Sequence, residues 1–185
     1  MELHINKQLN LLIRKDEQST QEIETNYLMV YQLFLAELNR IELTMECMSG
    51  YNRMLRHHYW SSISLELSIR PGDICYFDFG HAYINEAGFQ HFGLVISCFN
   101  HKAFVVPMTS KHHTLTQAMN VSDEGKAHLY YIGKIDGLHK PSVLFVNDAR
   151  FINTARVISV NAHLPTDSLE FKKIKEALYD VIFKV

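Results

Sequence analysis

The stretch Pro71-Gly72-Asp73-Ile74-Cys75-Tyr76-Phe77-Asp78-Phe79 decides the fold, because two kinds of sequence pattern meet there. Pro-Gly-Asp is typical of a turn, and the residues that follow it are mainly apolar and suited to a β-strand. Before residue 70 the chain contains one Gly and no Pro, whereas the rest contains seven Gly and all four Pro. The sequence therefore predicts long helical segments before this stretch and short strands with frequent turns after it.

The residues after this stretch favour a small antiparallel sheet followed by a helix. Strands are predicted over residues 74–79, 92–98, 103–107, 129–135 and 143–147. Loops rich in Gly and Asn separate them without clear helices in between, which is typical of a small barrel or sandwich. Residues 167–183 then predict an amphipathic helix, for which Asp167 and Glu170 offer a cap.

The residues before the stretch predict helices. Apolar side chains follow i, i+3, i+4 and i+7 spacing over residues 17–48, and Ser19 with Glu22 matches a capping box. Ser49-Gly50 predicts the end of this helix. Further predicted elements are short helices over residues 3–14 and 51–60 and a strand over residues 63–69, with a helical turn as the alternative. These helices either pack on each other and on the C-terminal half, or form an arm for dimerisation or for a partner.

Composition and charge exclude several classes of protein. Of the 185 residues, 47% are hydrophobic and 21% are charged, which argues against a disordered or fibrous chain. The N-terminus does not match a secretory signal, and no apolar run reaches the length of a membrane span. Three cysteines without metal-ligand spacing fit a reducing cytoplasm and predict neither a disulfide framework nor a zinc cluster.

The net charge of −2 conceals two unlike halves. Residues 1–69 hold 6 basic and 9 acidic side chains, a net charge of −3, whereas residues 70–185 hold 12 and 11, a net charge of +1. Most of the 11 His also lie in the second half. A strongly basic nucleic-acid coat protein is excluded, but a small basic groove in the second half is not.

Four segments of the second half resemble the MazF/PemK family of toxin endoribonucleases, the toxins of bacterial type II toxin–antitoxin modules. They are the opening stretch at residues 71–79, residues 85–97, Val105-Val106-Pro107-Met108-Thr109-Ser110-Lys111, and residues 142–152. The resemblance implies an α+β fold: an SH3-like antiparallel β-barrel with a C-terminal helix, here with an N-terminal helical extension. It divides the chain into an extension at residues 1–69 and a barrel domain at residues 70–185.

The family also implies a function and partners. Its members cleave single-stranded RNA without a metal or another cofactor, usually as cytoplasmic homodimers, and an antitoxin protein restrains them. The ribose 2′-OH attacks the adjacent phosphorus and the 5′-oxygen leaves, so the site needs proton donors and acceptors and groups that hold the phosphate.

The resemblance assigns catalytic roles to His91, Thr109 and Ser110. The family usually has an Arg at the position of His91 and a Pro at that of Phe92, so this chain departs from the pattern. An Arg is always charged, whereas His titrates near neutrality and serves as a general acid or base. The hydroxyls of Thr109 and Ser110, with nearby backbone N–H groups, are expected to hold a phosphate.

Other residues are candidates for RNA binding, and the sequence does not choose among them. The candidates are Lys111, His81, Asn85, Glu86, Gln90 and Arg150. Lys111 follows the Thr-Ser pair, and Arg150 follows the last predicted strand, where the family often places an Arg near RNA. The others lie in the loop that is expected to close over RNA, where amide side chains read base edges.

Two further interpretations stay open. The departure at His91 and the unexplained N-terminal half also fit a non-catalytic module that binds a protein or nucleic acid on the same barrel. Alternatively, the N-terminal half acts in cis, as a built-in antitoxin or as a dimer extension.

Overall fold

The computed structural model describes residues 19–120 and 127–183. The helices are α1 (Thr20–Glu37), α2 (Arg40–Arg56), α3 (His112–Met119) and α4 (Leu169–Phe183). The strands are β1 (Asp73–Asp78), β2 (Gln90–Phe99), β3 (Lys102–Thr109), β4 (Leu129–Gly133), β5 (Ser142–Phe145), β6 (Arg150–Asn153) and β7 (Val157–His163). The chain forms two compact units, of which one ends at Cys47 and the other begins at Met48.

The predicted helix over residues 17–48 is interrupted after Glu37, so its prediction as one element is wrong. Leu38 is extended, with φ −76° and ψ 141°. Asn39 then starts α2, because its side chain accepts a hydrogen bond from the Glu42 amide at 3.1 Å and the Glu42 carboxylate accepts one from the Asn39 amide at 3.1 Å. This reciprocal pair is a second capping box, equivalent to the predicted one at Ser19 and Glu22, which is present.

The first unit contains α1 and the start of α2. Tyr31 donates a hydrogen bond to the Glu46 carboxylate at 2.8 Å. Burial of the phenol, together with this bond, raises the pKa of Tyr31 to about 12. The other large apolar side chains of α1 are largely exposed, and Leu28, for example, is 53% exposed.

The second half of α2 continues through the predicted stop, so the prediction of a helix end at Ser49-Gly50 is wrong. Nothing lies within 4 Å of the position that a Cβ at Gly50 would take, and the helix runs on to Arg56. Residues 62–65 form a 3₁₀ turn capped by Ser61, so the strand predicted over residues 63–69 is wrong and the alternative is confirmed.

The sheet is antiparallel throughout, with the order β4-β5-β3-β2-β1-β7. β3 lies at its centre: β2 pairs with one side, while β5 and β6 share the other side, near Thr109 and Lys102 respectively. A bulge near Ile96 shifts the register of β2 against β3. A shared strand and a bulge both bend a sheet toward a barrel.

Two clusters of buried side chains form the core of this unit. One includes Phe171, Ile174 and Leu178 of α4, which pack with sheet residues such as Leu94 and Leu144. The other contains Phe77, Val95 and their neighbours on the sheet. Burial of these apolar side chains stabilises the sheet and fixes α4 upon it.

The elements of the second unit agree with the sequence predictions only in part. The five predicted strands are confirmed within a few residues, whereas α3, β6 and β7 were not predicted. The cap of α4 is Ser168, whose hydroxyl accepts a hydrogen bond from the Phe171 amide at 3.2 Å, and Glu170 accepts one from Tyr130 at 2.9 Å. The predicted cap at Asp167 and Glu170 is therefore wrong. The helix predicted over residues 3–14 lies outside the described residues.

The predicted α+β class, with antiparallel strands, helices before them and a C-terminal helix, is confirmed. The boundary between residues 69 and 70, which marks where the family resemblance begins, stays a prediction. Residues 48–69 belong to the same compact unit as the sheet. Within the described ranges, no helix combines the length and the apolar character needed to cross a membrane.

Candidate active site

The pairing of β2 with β3 brings His91 and Thr109 together. Phe92 lies opposite Met108 and Gly93 lies opposite Pro107, so the next position of the same register sets His91 against Thr109. Side chains that face each other on neighbouring antiparallel strands lie on one side of the sheet, with Cβ atoms about 4.5–5.5 Å apart. The register of these pairs therefore indicates that two of the three residues predicted to be catalytic lie near each other, one step beyond the Phe92–Met108 pair.

The imidazole of His91 has one nitrogen fixed by the backbone. Its Nδ1 lies 2.6 Å from the Gly88 carbonyl oxygen. A carbonyl only accepts, so Nδ1 carries the hydrogen and the neutral ring has its lone pair on Nε2. Burial lowers the pKa of His91 below its ordinary value, the Lys111 ammonium lowers it further, and the Gly88 bond acts in the opposite direction. A neutral ring with an available Nε2 is suited to accept a proton near pH 7.

Thr109 ends β3 and turns the chain into α3. Its side-chain oxygen accepts a hydrogen bond from the Lys111 amide at 3.2 Å, and the residue is only 8% exposed. This local bond uses a lone pair of the hydroxyl and leaves its hydrogen to donate. Thr109 can thus hold the Lys111 amide just before α3 and donate to a phosphate oxygen at the same time.

Thr109 and Ser110 line a cleft of about 330 Å³, whereas His91 is not among its lining residues. His139 and Lys140, in the segment between β4 and β5, also line it. The sequence did not predict these two residues, because they are about 30 residues from the Thr-Ser pair along the chain and only the β3–β5 pairing brings them near. The cleft therefore combines hydroxyl groups with basic groups, which suits a phosphodiester.

The loop between β1 and β2 is held by residues of the late strands. The Asp148 carboxylate accepts a hydrogen bond from the Ala87 amide at 2.7 Å, and Arg150 donates one to the Ala87 carbonyl. The Arg150 guanidinium also lies 5.2 Å from the centre of the Phe79 ring. The contacts of Arg150 thus position the loop that carries other predicted RNA-binding residues.

The remaining predicted residues lie at different places on this loop and strand. Asn85 is exposed in a left-handed conformation, with φ 73°. The Glu86 carboxylate accepts a hydrogen bond from the Tyr83 amide at 3.3 Å. The side-chain nitrogen of Gln90 is buried without a hydrogen-bond partner among the described residues. His81 lies apart from Thr109, at a second cavity.

This second cavity was not predicted from the sequence. It measures about 460 Å³, and its walls come from the end of α2, the end of β1 and the turn at residues 153–156. Three arginines line it: Arg53, Arg56 and Arg156. In the sequence, Arg156 follows the late strand, as Arg150 does, where the family often places an Arg near RNA. The two helix arginines give no signal there, because the carbonyl partners of Arg56 are about 100 residues away.

No group of three or more His, Cys, Asp or Glu side chains in the described ranges is arranged to hold a metal ion. Cys47, Cys75 and Cys98 are free thiols. Burial raises the pKa of the Cys75 thiol to about 12, so Cys75 is protonated at neutral pH and unsuited to act as a nucleophile.

Comparisons with known proteins give matches among solved structures. No family model and no curated protein matches the sequence. The chain is similar to a MazF from Deinococcus radiodurans, with 15% identity and a TM-score of 0.47 over 63% of this chain and 97% of the other. It is also similar to a MazE–MazF complex from that organism, with 15% identity and a TM-score of 0.44 over 64% and 99% of the chains. A third similar structure is the Mycobacterium tuberculosis toxin MazF-mt6, with 14% identity and a TM-score of 0.42 over 60% and 95%.

At identities of 14–15% and TM-scores below 0.5, these similarities carry no argument about the family or the activity of this chain. The chemistry of the site therefore depends on His91, Thr109 and the groups around them.

Proposed function

We propose that the protein is a metal-independent endoribonuclease that cleaves single-stranded RNA at the strand ends that carry His91 and Thr109. The observation that carries the proposal is the His91 ring, which is held so that Nε2 is its proton acceptor. Its strand pairs with β3 up to Phe92 and Met108, one residue before His91 and Thr109. A neutral base next to a hydroxyl donor is what the attack of a ribose 2′-OH on a phosphodiester requires.

The roles follow from the groups present. His91 Nε2 takes the proton of the 2′-OH, the 2′-oxygen bonds to phosphorus, and the bond to the 5′-oxygen breaks. Thr109 and Ser110 donate hydrogen bonds to the phosphate oxygens, and Lys111 offsets their negative charge. The leaving 5′-oxygen takes its proton from a donor in the cleft, for which the His139 imidazole is suited because its ring nitrogens can carry and donate hydrogens. The products are a 2′,3′-cyclic phosphate and a 5′-hydroxyl end.

The wider biological role is part of the same proposal. We infer a toxin of a toxin–antitoxin module, acting in the cytoplasm as a homodimer and restrained by an antitoxin protein. The four family-like segments support this inference, with residues 70–185 as the catalytic domain.

Cleavage in EDTA tests the proposal directly. Purified protein is expected to cut single-stranded RNA and leave 2′,3′-cyclic phosphate ends. His91→Ala and Thr109→Ala are each expected to lower the rate by roughly 10²-fold or more, as for other acid–base groups. His101→Asn is the control, because His101 lies in the turn at the opposite end of the β2–β3 pair and Asn tolerates its φ of 63°. RNA that stays intact, or cleavage that both alanine variants retain, would contradict the proposal.

A non-catalytic binding module is the second candidate. It is favoured by the His in place of the family Arg and by the bond that already engages the Thr109 hydroxyl. This candidate predicts that the wild-type protein retains labelled RNA or a partner protein without cutting RNA. Cleavage that co-purifies with the protein and disappears in His91→Ala would exclude it.

A further inference from the structure

The second cavity has a charge balance that points to an anion. Arg53, Arg56 and Arg156 carry three positive charges, and Asp78 is the one carboxylate among its lining residues. The net fixed charge of the lining is therefore +2 when the neighbouring His57 and His81 are neutral. No ion pair joins any of the three guanidinium groups to a carboxylate within the described residues.

Asp78 does not neutralise these arginines through hydrogen bonds. Its carboxylate is 2% exposed and accepts three bonds: from the Ser49 hydroxyl at 2.7 Å, the Asn52 amide at 2.8 Å and the Gly80 amide at 2.9 Å. The hydrogen-bonding partners of this carboxylate are thus neutral groups at the wall of the cavity, not the arginines. The arginines keep donors for a further partner.

Two of the arginines are held in place by the backbone. Arg56 donates through Nη1 to the carbonyls of Ala155 at 3.2 Å and Val157 at 2.5 Å. Arg156 donates through Nη1 to the Asp78 carbonyl at 3.1 Å. A guanidinium has five N–H donors in a rigid fork, so each group is positioned by one nitrogen and can still present the others to a ligand.

We propose that this cavity binds a terminal phosphate monoester. Near neutral pH such a group carries a charge between about −1.5 and −2, which matches the net +2 of the lining, and arginine forks bind phosphate oxygens in a bidentate manner. The volume of about 460 Å³ is in the range of small-ligand pockets. Tyr59 and His57 in the lining offer aromatic faces for a base. The source is a mononucleotide or the 5′-phosphorylated end of an RNA.

The site is separate from the proposed catalytic cleft. None of His91, Thr109, Ser110 or Lys111 lines it, and its α2 wall comes from the part of the chain that the family pattern does not explain. Binding of phosphate can therefore be measured without reference to RNA cleavage, and the two proposals can fail independently.

Calorimetric titration at pH 7.5 and low salt tests the site on the full chain. The probes are inorganic phosphate, adenosine 5′-monophosphate, and a 2′-O-methyl RNA with either a 5′-phosphate or a 5′-hydroxyl, which lacks the 2′-OH needed for cleavage. Wild-type protein is expected either to bind phosphate and the mononucleotide, or to bind the 5′-phosphorylated RNA roughly 10-fold more tightly than the 5′-hydroxyl RNA. The first result identifies the ligand as a mononucleotide. Binding that depends on the RNA 5′-phosphate, without binding of the mononucleotide, identifies it as an RNA end.

Matched variants locate the binding. Arg53→Gln is expected to weaken the binding of phosphate by roughly 10-fold, which is the scale of a lost charged hydrogen bond. Arg53→Lys is expected to retain part of the affinity that Arg53→Gln loses. Arg53→Gln with Arg156→Gln is expected to abolish it. Arg40→Gln is the control, because it removes the same charge from the other end of α2, and circular dichroism checks that each variant is folded. No binding of any phosphate probe by the wild type would overturn the proposal, and so would binding that the folded double variant retains.

Discussion

At the scale of single residues, the most consequential group is the imidazole of His91. Its Nδ1 hydrogen is committed to Gly88, and its pKa is lowered chiefly by burial and then by Lys111. A base is active in its deprotonated form. The rate of cleavage is therefore expected to rise with pH as His91 loses its proton. The midpoint of this acidic limb of the rate–pH profile is expected below the ordinary His pKa of 6.5.

Lys111→Gln tests this electrostatic link. Removal of the like charge is expected to raise the pKa of His91, so the acidic limb of kcat/KM against pH moves to higher pH. Lys102→Gln is the matched control, because Lys102 lies at the opposite end of β3. A limb that does not move in Lys111→Gln, or moves equally in both variants, would contradict the role of His91 as the base.

Two glycines of the second unit are expected to respond in opposite directions to the same substitution. A Cβ on Gly93 would lie 2.5 Å from a Val105 methyl carbon and 3.2 Å from the Phe79 ring. Gly93→Ala is therefore expected to lower the free energy of unfolding by about 1–3 kcal/mol through overpacking. Gly50→Ala, with open space in the middle of a helix, is expected to raise it by about 0.5–1 kcal/mol. Urea denaturation measures both, and equal effects would contradict the close packing around Gly93.

At the scale of elements, hydrogen bonds to the Asp78 carboxylate link the second half of α2 to the end of β1. Ser49 and Asn52 of the helix both donate to this carboxylate, as does the backbone at Gly80. Asp78→Ala would leave the buried Ser49 hydroxyl and the partly buried donors of Asn52 and Gly80 without this acceptor.

We expect Asp78→Ala to lower the free energy of unfolding by about 2–4 kcal/mol, since each orphaned buried donor costs about 1–3 kcal/mol and some regain water. Asp136→Ala, at an exposed turn, is the comparison and should change stability by less than about 0.5 kcal/mol. Chemical denaturation of both variants checks the difference. A loss in Asp78→Ala no larger than in the comparison would refute the anchoring role.

The elements that the sequence predicted well carry strong local signals. β1 follows a Pro-Gly-Asp turn, and β2 and β3 are runs of apolar and β-branched residues. The break between α1 and α2 was missed because the apolar stripe continues across it and masks the Asn39–Glu42 capping box. β6 and β7 were missed because they are short or half-exposed and are stabilised by distant strands rather than by their own pattern.

The two candidate sites also differ in how far the sequence pointed to them. His91 and Thr109 could be named from the sequence because the family-like segments mark both strand ends, and their catalytic roles stay a prediction. The arginine-lined cavity was not, because Arg53 and Arg56 look like ordinary exposed helix residues until α2 is placed beside residues 153–157. A charge cluster that forms only through tertiary contacts leaves no spacing pattern in the sequence.

At the scale of the whole molecule, the unit that contains the sheet begins at Met48, and α2 begins with its own cap at Asn39. A chain of residues 39–185 is therefore expected to unfold within a few degrees of the full-length protein. A chain of residues 61–185 lacks Ser49, Asn52 and Arg56, and we expect its Tm to be lower by roughly 10 °C or more.

Thermal unfolding of both truncated chains measures this difference, and equal Tm values would show that α2 does not stabilise the sheet. The same proteins address regulation in cis. If the residues before Asn39 act as a built-in inhibitor, the 39–185 chain cleaves RNA faster than the full-length protein, and an unchanged rate would exclude that role.

The bonds of Arg56 to the backbone have a consequence for the order in which the protein folds. They join residues 99 and 101 positions apart, so during synthesis α2 leaves the ribosome long before its carbonyl partners exist. The helix can form early, because its hydrogen bonds are local, and its bonds to Asp78 can form once β1 has emerged. The bonds of Arg56 cannot form until residues 155–157 have emerged. In the nascent chain the guanidinium of Arg56 therefore stays hydrated, and the arginine-lined cavity is among the last features to be completed.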